Sequence, residues 1–192
     1  MGLSRADASV AAPMKDWNVA VTVFPEGWRP AVRALRGLVR LEPSGHYNVL
    51  LGKVDDPIAL LETLGKQAET EPVLLDTISR VAPALAVFDY ETDEGFERQA
   101  MAAVSPWLAR LKGKSFHVRV HRRGAGLSAR GHVAEASLGK AVLDKLALAG
   151  APGRIDFDDP DFVLAIDAID SRAGLALWAR DDLRRHRFLR PD

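Results

Sequence analysis

The fold of the second half of this chain is decided by the stretch Lys114-Ser115-Phe116-His117-Val118-Arg119-Val120-His121-Arg122-Arg123-Gly124. Apolar and polar side chains alternate along it, and a period of two predicts a β-strand over Phe116 to His121. Successive side chains of a strand point to opposite faces, so Phe116, Val118 and Val120 share one face. The opposite face carries His117, Arg119 and His121, which makes it polar and cationic.

The residues around this strand predict an α/β unit. After the loop Gly124 to Arg130, the apolar stripe of Val133 to Leu148 predicts a helix. Two further strands are predicted at Phe162 to Ile169 and Leu175 to Trp178. Upstream, the apolar spacing from Phe96 to Trp107 predicts another helix, which Pro106 kinks or ends.

The first half of the chain predicts a ferredoxin-like arrangement, with the order β-α-β-β-α-(α)-β. Asp56 followed by Pro57 predicts the start of a helix, because Asp caps helices and Pro is tolerated at the first position. A short helix is predicted at Val73 to Ile78, and the last strand at Ala84 to Tyr90. The other predicted elements are strands at Trp17 to Phe24, Val39 to Leu41 and Tyr47 to Val54, and a helix at Trp28 to Leu38.

These elements predict an α/β (α+β) protein with two domains. We expect a flexible tail over residues 1–14, followed by a ferredoxin-like domain over residues 15–90. A second α/β domain is expected over residues 91–182, and a basic C-terminal tail over residues 183–192.

Composition excludes several classes of site. Apolar residues make up 47% of the 192 residues, which is enough for a sizeable core. The chain has no cysteine, which excludes disulfides, thiolate zinc sites and cysteine nucleophiles. No apolar run approaches the 18 residues or so that a membrane span requires. We therefore expect a soluble, cytoplasmic protein with no membrane partner.

The balanced net charge hides a difference between the two halves. The whole chain carries 26 basic and 26 acidic side chains, but residues 1–108 have a net charge of −5 and residues 109–192 of +5. Seven cations and no acid lie between Arg110 and Arg130. A solvated surface explains such a run, and so does nucleic-acid binding, because guanidinium groups suit phosphate oxygens. The candidate RNA-binding residues are Lys112, Lys114, Arg119, His121, Arg122, Arg123 and Arg130. Arg122 and Arg123 lie at the end of the strand, and we expect both side chains to point outward, away from the core face of Phe116, Val118 and Val120.

Three other motifs partly match known binding sites. The loop Gly124 to Ala129 matches G-x-G-x-x-A, which binds pyrophosphate in dinucleotide sites. Such a site also needs an acidic ribose ligand at the end of the next strand, but here the acidic cluster precedes the strand at Phe162. His117 and His121 lie roughly 13 Å apart on a strand, too far for one metal ion. The cluster Asp156 to Asp161 lacks the glycine of a calcium loop, so we expect a turn with capping side chains. No metal and no cofactor are predicted.

Two segments resemble the THUMP family. The stretch Lys114 to Gly124 resembles the first strand and arginine-rich turn of that family, and Ile155 to Asp161 is similar to its D-L-x-N-P-D box, with Asp159 where Asn is usual. Upstream, Ser79 to Pro83 looks like the end of the ferredoxin-like domain that precedes THUMP in tRNA-modifying proteins. The resemblance extends over residues 15–182.

The resemblance implies binding of tRNA at the acceptor arm and the 3′ end. In the family the chemistry usually belongs to a fused catalytic domain, and only ten residues follow Asp182 here. We therefore expect a non-catalytic adaptor that presents tRNA to a separately encoded modifying enzyme. Two alternatives stay open: a nucleotide-dependent enzyme that uses the Gly124-Gly126 loop, and a protein-interaction module without RNA.

Overall fold

A computed structural model describes residues 14–124 and 131–189 of the chain. Its first half forms a four-stranded antiparallel sheet, in which alternate residues such as Val19, Val21 and Val23 are buried. The strands pair in the order β2-β3-β1-β4, which is the order of a ferredoxin-like sheet. They are β1 (Val19–Val23), β2 (Arg40–Pro43), β3 (Val49–Lys53) and β4 (Ile78–Pro83).

Three helices connect these strands: α1 (Trp28–Ala34), α2 (Pro57–Thr70) and α3 (Val73–Thr77). The Asp56 carboxylate accepts hydrogen bonds from the backbone of Ile58 and Ala59, which confirms the predicted start of α2. Leu61 and Leu64 of α2 are buried in the same core cluster as the β1 valines.

The last strand of the first sheet differs from the prediction. It is β4, whereas the predicted strand at Ala84 to Tyr90 is a shorter strand, β5 (Ala86–Asp89), that pairs antiparallel with a strand of the second sheet. The chain thus passes between the sheets before residue 90. Ser79 and Arg80 interrupt the apolar pattern of β4, and the charge of Arg80 is paired with Asp167, which is distant in sequence.

The second sheet contains β6 (Ser115–Arg123), β7 (Arg154–Ile155), β8 (Phe162–Ile169) and β9 (Arg172–Ala179) in addition to β5. The order is β5-β9-β8-β6-β7, with β6 parallel to both β7 and β8. Helices α4 (Asp93–Val104) and α6 (Gly131–Leu148) pack on one face of this sheet. A 3₁₀ turn that contains Pro106 ends α4 and leads to α5 (Leu108–Leu111).

The opposite face of the second sheet contacts the first domain. Ala165, Ala176 and Trp178 lie in one core cluster with the β1 valines. The segment predicted as a basic tail takes part as well: α7 (Arg180–Arg185) leads to Phe188 and Leu189, which are both buried. Phe188 also accepts a backbone hydrogen bond from Val81. The apolar side chains of Phe188 and Leu189 explain why this segment packs on β4.

Within the described ranges, no helix is both long enough and apolar enough to cross a membrane.

Candidate functional site

The central element of the candidate site is β6, whose two faces follow its register with β8. Val118 lies beside Leu164 and Val120 beside Ile166, and all four side chains are buried under α4 and α6. Side chains alternate along a strand, so the next residue on this core face is Arg122. Arg119, His121 and Arg123 therefore lie on the other face.

The sequence-based expectation that Arg122 and Arg123 both point outward is wrong for Arg122. Its guanidinium carbon lies 4.7 Å from the ring centroid of Phe96 and 5.8 Å from that of Tyr90. One nitrogen donates to Asp93 at 2.7 Å, and only 8% of the side chain is exposed. Arg122 is thus part of the core beneath α4. The prediction failed because a short apolar pattern does not show that the core face continues to a charged residue.

On the other face, β6 brings its cations to a buried carboxylate. Arg80 of β4 donates two hydrogen bonds of 2.6 Å to the two oxygens of Asp167 on β8. One nitrogen of Arg123 lies 3.8 Å from Asp167, and His121 lies beside Asp167 in the sheet register. Arg80, His121 and Arg123 therefore form a cluster around Asp167.

The charges of this cluster influence one another. Burial would raise the pKa of Asp167, but the charge of Arg80 and its hydrogen bonds outweigh this effect and hold the pKa below its ordinary value. Burial lowers the pKa of Arg123, against the opposing effect of Asp167. Asp167 thus stays ionised and neutralises about one of the surrounding cations.

A cavity of about 300 Å³ lies beside this cluster, where β6 ends and α6 begins. Glu135 of α6 reaches its rim, accepts a hydrogen bond from the backbone of Val120 and lies 4.0 Å from Arg119. In the part of the chain that the structure describes, Nε of Arg119 and one terminal nitrogen of Arg123 are buried without a hydrogen-bond partner.

The remaining predicted residues do not join this cluster. Lys112 and Lys114 are exposed just before β6, and Lys114 lies roughly 30 Å from Arg123 over nine residues of extended chain. Their neighbours include the acidic turn: Asp161 accepts two hydrogen bonds from Ser115, and Asp156 caps the backbone of Asp158 and Asp159. The predicted turn with capping side chains is confirmed. Arg130 lies outside the described residues.

Sequence analysis missed the acidic partners of the basic run. Arg119, Arg122 and Arg123 each approach a carboxylate, but those carboxylates come from α6, α4 and β8. Arg80 and Asp167 were also missed, although each is a lone charge in an apolar strand. That pattern predicts a buried charge that needs a partner, and it was the available indication of this pair.

The histidines have separate environments. His117 is buried, its Nδ1 lies 3.2 Å from the carbonyl oxygen of Asp156, and its ring stacks on Phe157. Burial lowers the pKa of His117, so the ring is largely neutral near pH 7. Among residues 14–124 and 131–189, no three side chains that could bind a metal ion lie together.

The beginning of the glycine loop faces a carboxylate. Gly124 has a φ of +136°, and a Cβ at this position would lie 2.8 Å from an Asp170 oxygen. Glycine is therefore required here for both conformation and space. Strands β6 and β8 are parallel and are connected by α6, as in a nucleotide-binding unit. The negative charge of Asp170, however, opposes the binding of a pyrophosphate at Gly124. Gly126 and the rest of the loop lie outside the described residues.

Solved structures of other proteins share this fold. PH1313 from Pyrococcus horikoshii Ot3 superposes with a TM-score of 0.57 at 14% identity, over 83% of this chain and 53% of that one. A 4-thiouridine synthetase, solved as an RNA complex with bound ATP, superposes with a TM-score of 0.50 at 14% identity, over 85% of this chain and 41% of that one. TrmN from Thermus thermophilus superposes with a TM-score of 0.51 at 17% identity, over 83% of this chain and 44% of that one.

The comparisons establish the fold. No protein-family model matches this chain, and no curated protein matches it. The structural similarity confirms the predicted α/β class and supports a THUMP-like fold. The chain spans about half or less of the length of each of these three structures.

Proposed function

We propose that this protein binds tRNA at its acceptor arm and single-stranded 3′ end, and presents it to a separately encoded tRNA-modifying enzyme in the cytoplasm. The observation that carries the proposal is the cationic face at the end of β6. Arg119 and Arg123 are about 30% and 27% exposed there, and His121 and Arg123 line an open cavity.

The chemistry of this face suits phosphate oxygens. Guanidinium groups present planar donors that form paired hydrogen bonds with phosphate, and a positive surface attracts the RNA backbone from solution. The buried Arg80–Asp167 pair holds the carboxylate that Arg123 approaches, so Arg123 needs little ordering when it binds. The similarity to a 4-thiouridine synthetase that was solved with RNA adds support for RNA as the ligand.

The surroundings of the two carboxyl groups and the histidine with shifted pKa values, Asp167, Asp161 and His117, agree with a role in presenting tRNA without catalysis. Asp167 is paired with Arg80, Asp161 accepts from Ser115, and the His117 ring is covered by Phe157. Each of these groups has a structural partner, so none is positioned for proton transfer to a substrate. Incubation of tRNA with this chain and acetyl-CoA, S-adenosylmethionine or ATP should leave its nucleosides unchanged by mass spectrometry. A new modification made by the purified chain would overturn the presenting role.

The binding site is tested by a titration of intact tRNA with an Arg119→Ala, Arg123→Ala double variant. Loss of two charge-assisted contacts should weaken binding by roughly 100-fold, which corresponds to about 3 kcal/mol. A matched control replaces Lys66 and Arg98, two exposed cations on α2 and α4, and should bind like the wild type. Equal affinity of wild type and the folded β6 variant would place the RNA site elsewhere.

The 3′-end assignment needs its own substrate comparison. Removal of the four 3′-terminal nucleotides should weaken binding to the wild type if the single-stranded end enters the site. An unchanged affinity for trimmed tRNA would contradict recognition of the 3′ end, even if the arginines matter.

The parallel strands β6 and β8, connected by α6, favour a second candidate function. This is a nucleotide-dependent enzyme that uses the Gly124-Gly126 loop. Isothermal titration with ATP and with NAD distinguishes it, since such an enzyme binds one of them saturably without RNA. A protein-interaction module, in contrast, would bind neither nucleotide nor tRNA.

A further inference from the structure

Hydrogen bonds join the end of β6 to the open end of the first sheet. The Arg123 carbonyl oxygen accepts from the backbone of Asp170 at 2.8 Å, and an Asp170 oxygen lies 2.9 Å from Nε2 of His46. His46 belongs to the turn between β2 and β3, and Asn48 at the end of this turn accepts from the backbone of Val23 at 2.9 Å. The two domains therefore present one continuous edge.

Three exposed aromatic side chains lie at this edge. Tyr47 is 82% exposed, Trp28 42% and Phe24 37%. Tyr47 precedes Asn48 and Phe24 follows Val23, so both extend just beyond the last hydrogen bond between β3 and β1. The Gly27 backbone donates to the Phe24 carbonyl oxygen, which fixes the turn that leads to Trp28 at the start of α1.

This grouping differs from the scattered exposure that is ordinary for single apolar residues. Of the four strongly exposed aromatic residues in the described ranges, only Phe157 lies elsewhere. No ring contact within those ranges covers Phe24, Trp28 or Tyr47. The exposed part of each ring is therefore accessible to a planar ligand.

Two exposed cations follow Trp28 on α1. Arg29 and Arg33 are exposed, and residues 27–34 contain no acid. Among the described residues, no salt bridge ties either arginine to a carboxylate, whereas three arginines of β6 each have such a partner. The nearest acid along the chain is Glu26, and Asp170 of the same edge already contacts His46. Aromatic rings beside unpaired cations are the composition of a single-strand binding surface.

We infer that Phe24, Trp28 and Tyr47 form a stacking surface for unpaired RNA bases, with Arg29 and Arg33 beside it for the phosphates of the same strand. The inference rests on the proposed function and specifies which part of the RNA is read. Bases inside a duplex are already stacked on each other, so exposed rings contribute only to an unpaired segment. The edge continues from Arg123, so a single RNA strand reaches both the stacking surface and the β6 site.

The test uses a single-stranded RNA of eight nucleotides and a blunt-ended RNA duplex without unpaired nucleotides. Tyr47→Ala should weaken binding of the single strand by roughly 5- to 100-fold, the range expected for the loss of one base–aromatic stack, and leave the affinity for the duplex within twofold. Tyr47→Phe keeps the ring and should bind like the wild type. Phe157→Ala removes an equally exposed ring outside this edge and should also bind like the wild type.

Each outcome decides between the two proposals. If the folded Tyr47→Ala variant binds the single strand as the wild type does, or loses affinity equally for the duplex, the stacking surface is refuted while the β6 site stands. A loss in Phe157→Ala that matches the loss in Tyr47→Ala refutes it as well. If wild-type protein binds neither RNA nor tRNA, the proposed function itself fails. Circular dichroism of each variant checks the fold.

Discussion

Arg80 and Asp167 join the two sheets of this protein by a bidentate pair, with both hydrogen bonds at 2.6 Å and both side chains about 95% buried. The partners are 87 residues apart, on β4 of the first domain and β8 of the second. Because Asp167 also faces His121 and Arg123, the pair fixes the position of the candidate RNA site relative to the first domain.

Removal of one partner should destabilise the whole fold. Asp167→Ala leaves the buried guanidinium of Arg80 without its carboxylate, and breaking a buried pair in this way costs about 3–5 kcal/mol. Urea denaturation followed by circular dichroism measures the change in the free energy of unfolding. The double variant Arg80→Met, Asp167→Leu removes both charges and should lose less. A single variant as stable as the wild type would show that the pair is not needed for the fold.

The same carboxyl should make stability depend on acid pH. The pKa of Asp167 is lowered in the folded protein, since the Arg80 charge and hydrogen bonds outweigh the effect of burial, while the unfolded chain has the ordinary value of 3.8. The unfolded state therefore binds more protons between the two values, and stability rises with pH there. The contribution is fully present above roughly pH 5 and is lost as pH falls through the folded pKa.

The measurement compares the pH profiles of two proteins. Unfolding free energies of wild type and Asp167→Asn, taken from pH 7 to pH 2.5, should converge at the acid end as the wild-type carboxyl is protonated. Parallel profiles across this range would contradict the lowered pKa.

Arg122 and Arg123 should respond differently to the same substitution. Arg122→Ala removes a side chain that packs on Phe96 and pairs with Asp93, so we expect a loss of about 1–3 kcal/mol in stability. Arg122→Met keeps much of the packing and should lose less. Arg123→Ala leaves the Arg80–Asp167 pair intact and should be nearly neutral. Equal thermal shifts for the Arg122 and Arg123 alanine variants would contradict the placement of Arg122 in the core.

Local patterns predicted the elements of the fold, because periodicity and caps act over a few residues. The β6 alternation and the Asp56-Pro57 helix start are both found in the structure. The site depends on contacts between distant residues, and sequence shows these poorly. Arg122 looked exposed because its partners, Asp93 and Phe96, belong to another element. The aromatic residues near Arg123 were missed because Tyr47 is more than 70 residues away along the chain.

The salt dependence of tRNA binding counts the phosphates that the protein contacts. With about six contacts, the slope of log K against log salt should be near −5, so a threefold rise in salt weakens binding by a few hundredfold. The Arg119→Ala, Arg123→Ala variant should have a slope less steep by about two, one for each lost contact. Lys112→Ala, Lys114→Ala serves as the comparison, because these lysines lie at the other end of β6 beside the acidic turn. Its slope should stay close to that of the wild type if the RNA follows the Arg123 end. Fluorescence anisotropy with labelled tRNA between 50 and 200 mM salt gives each slope. A nearly flat response in the wild type would mean that the basic residues only solvate the surface.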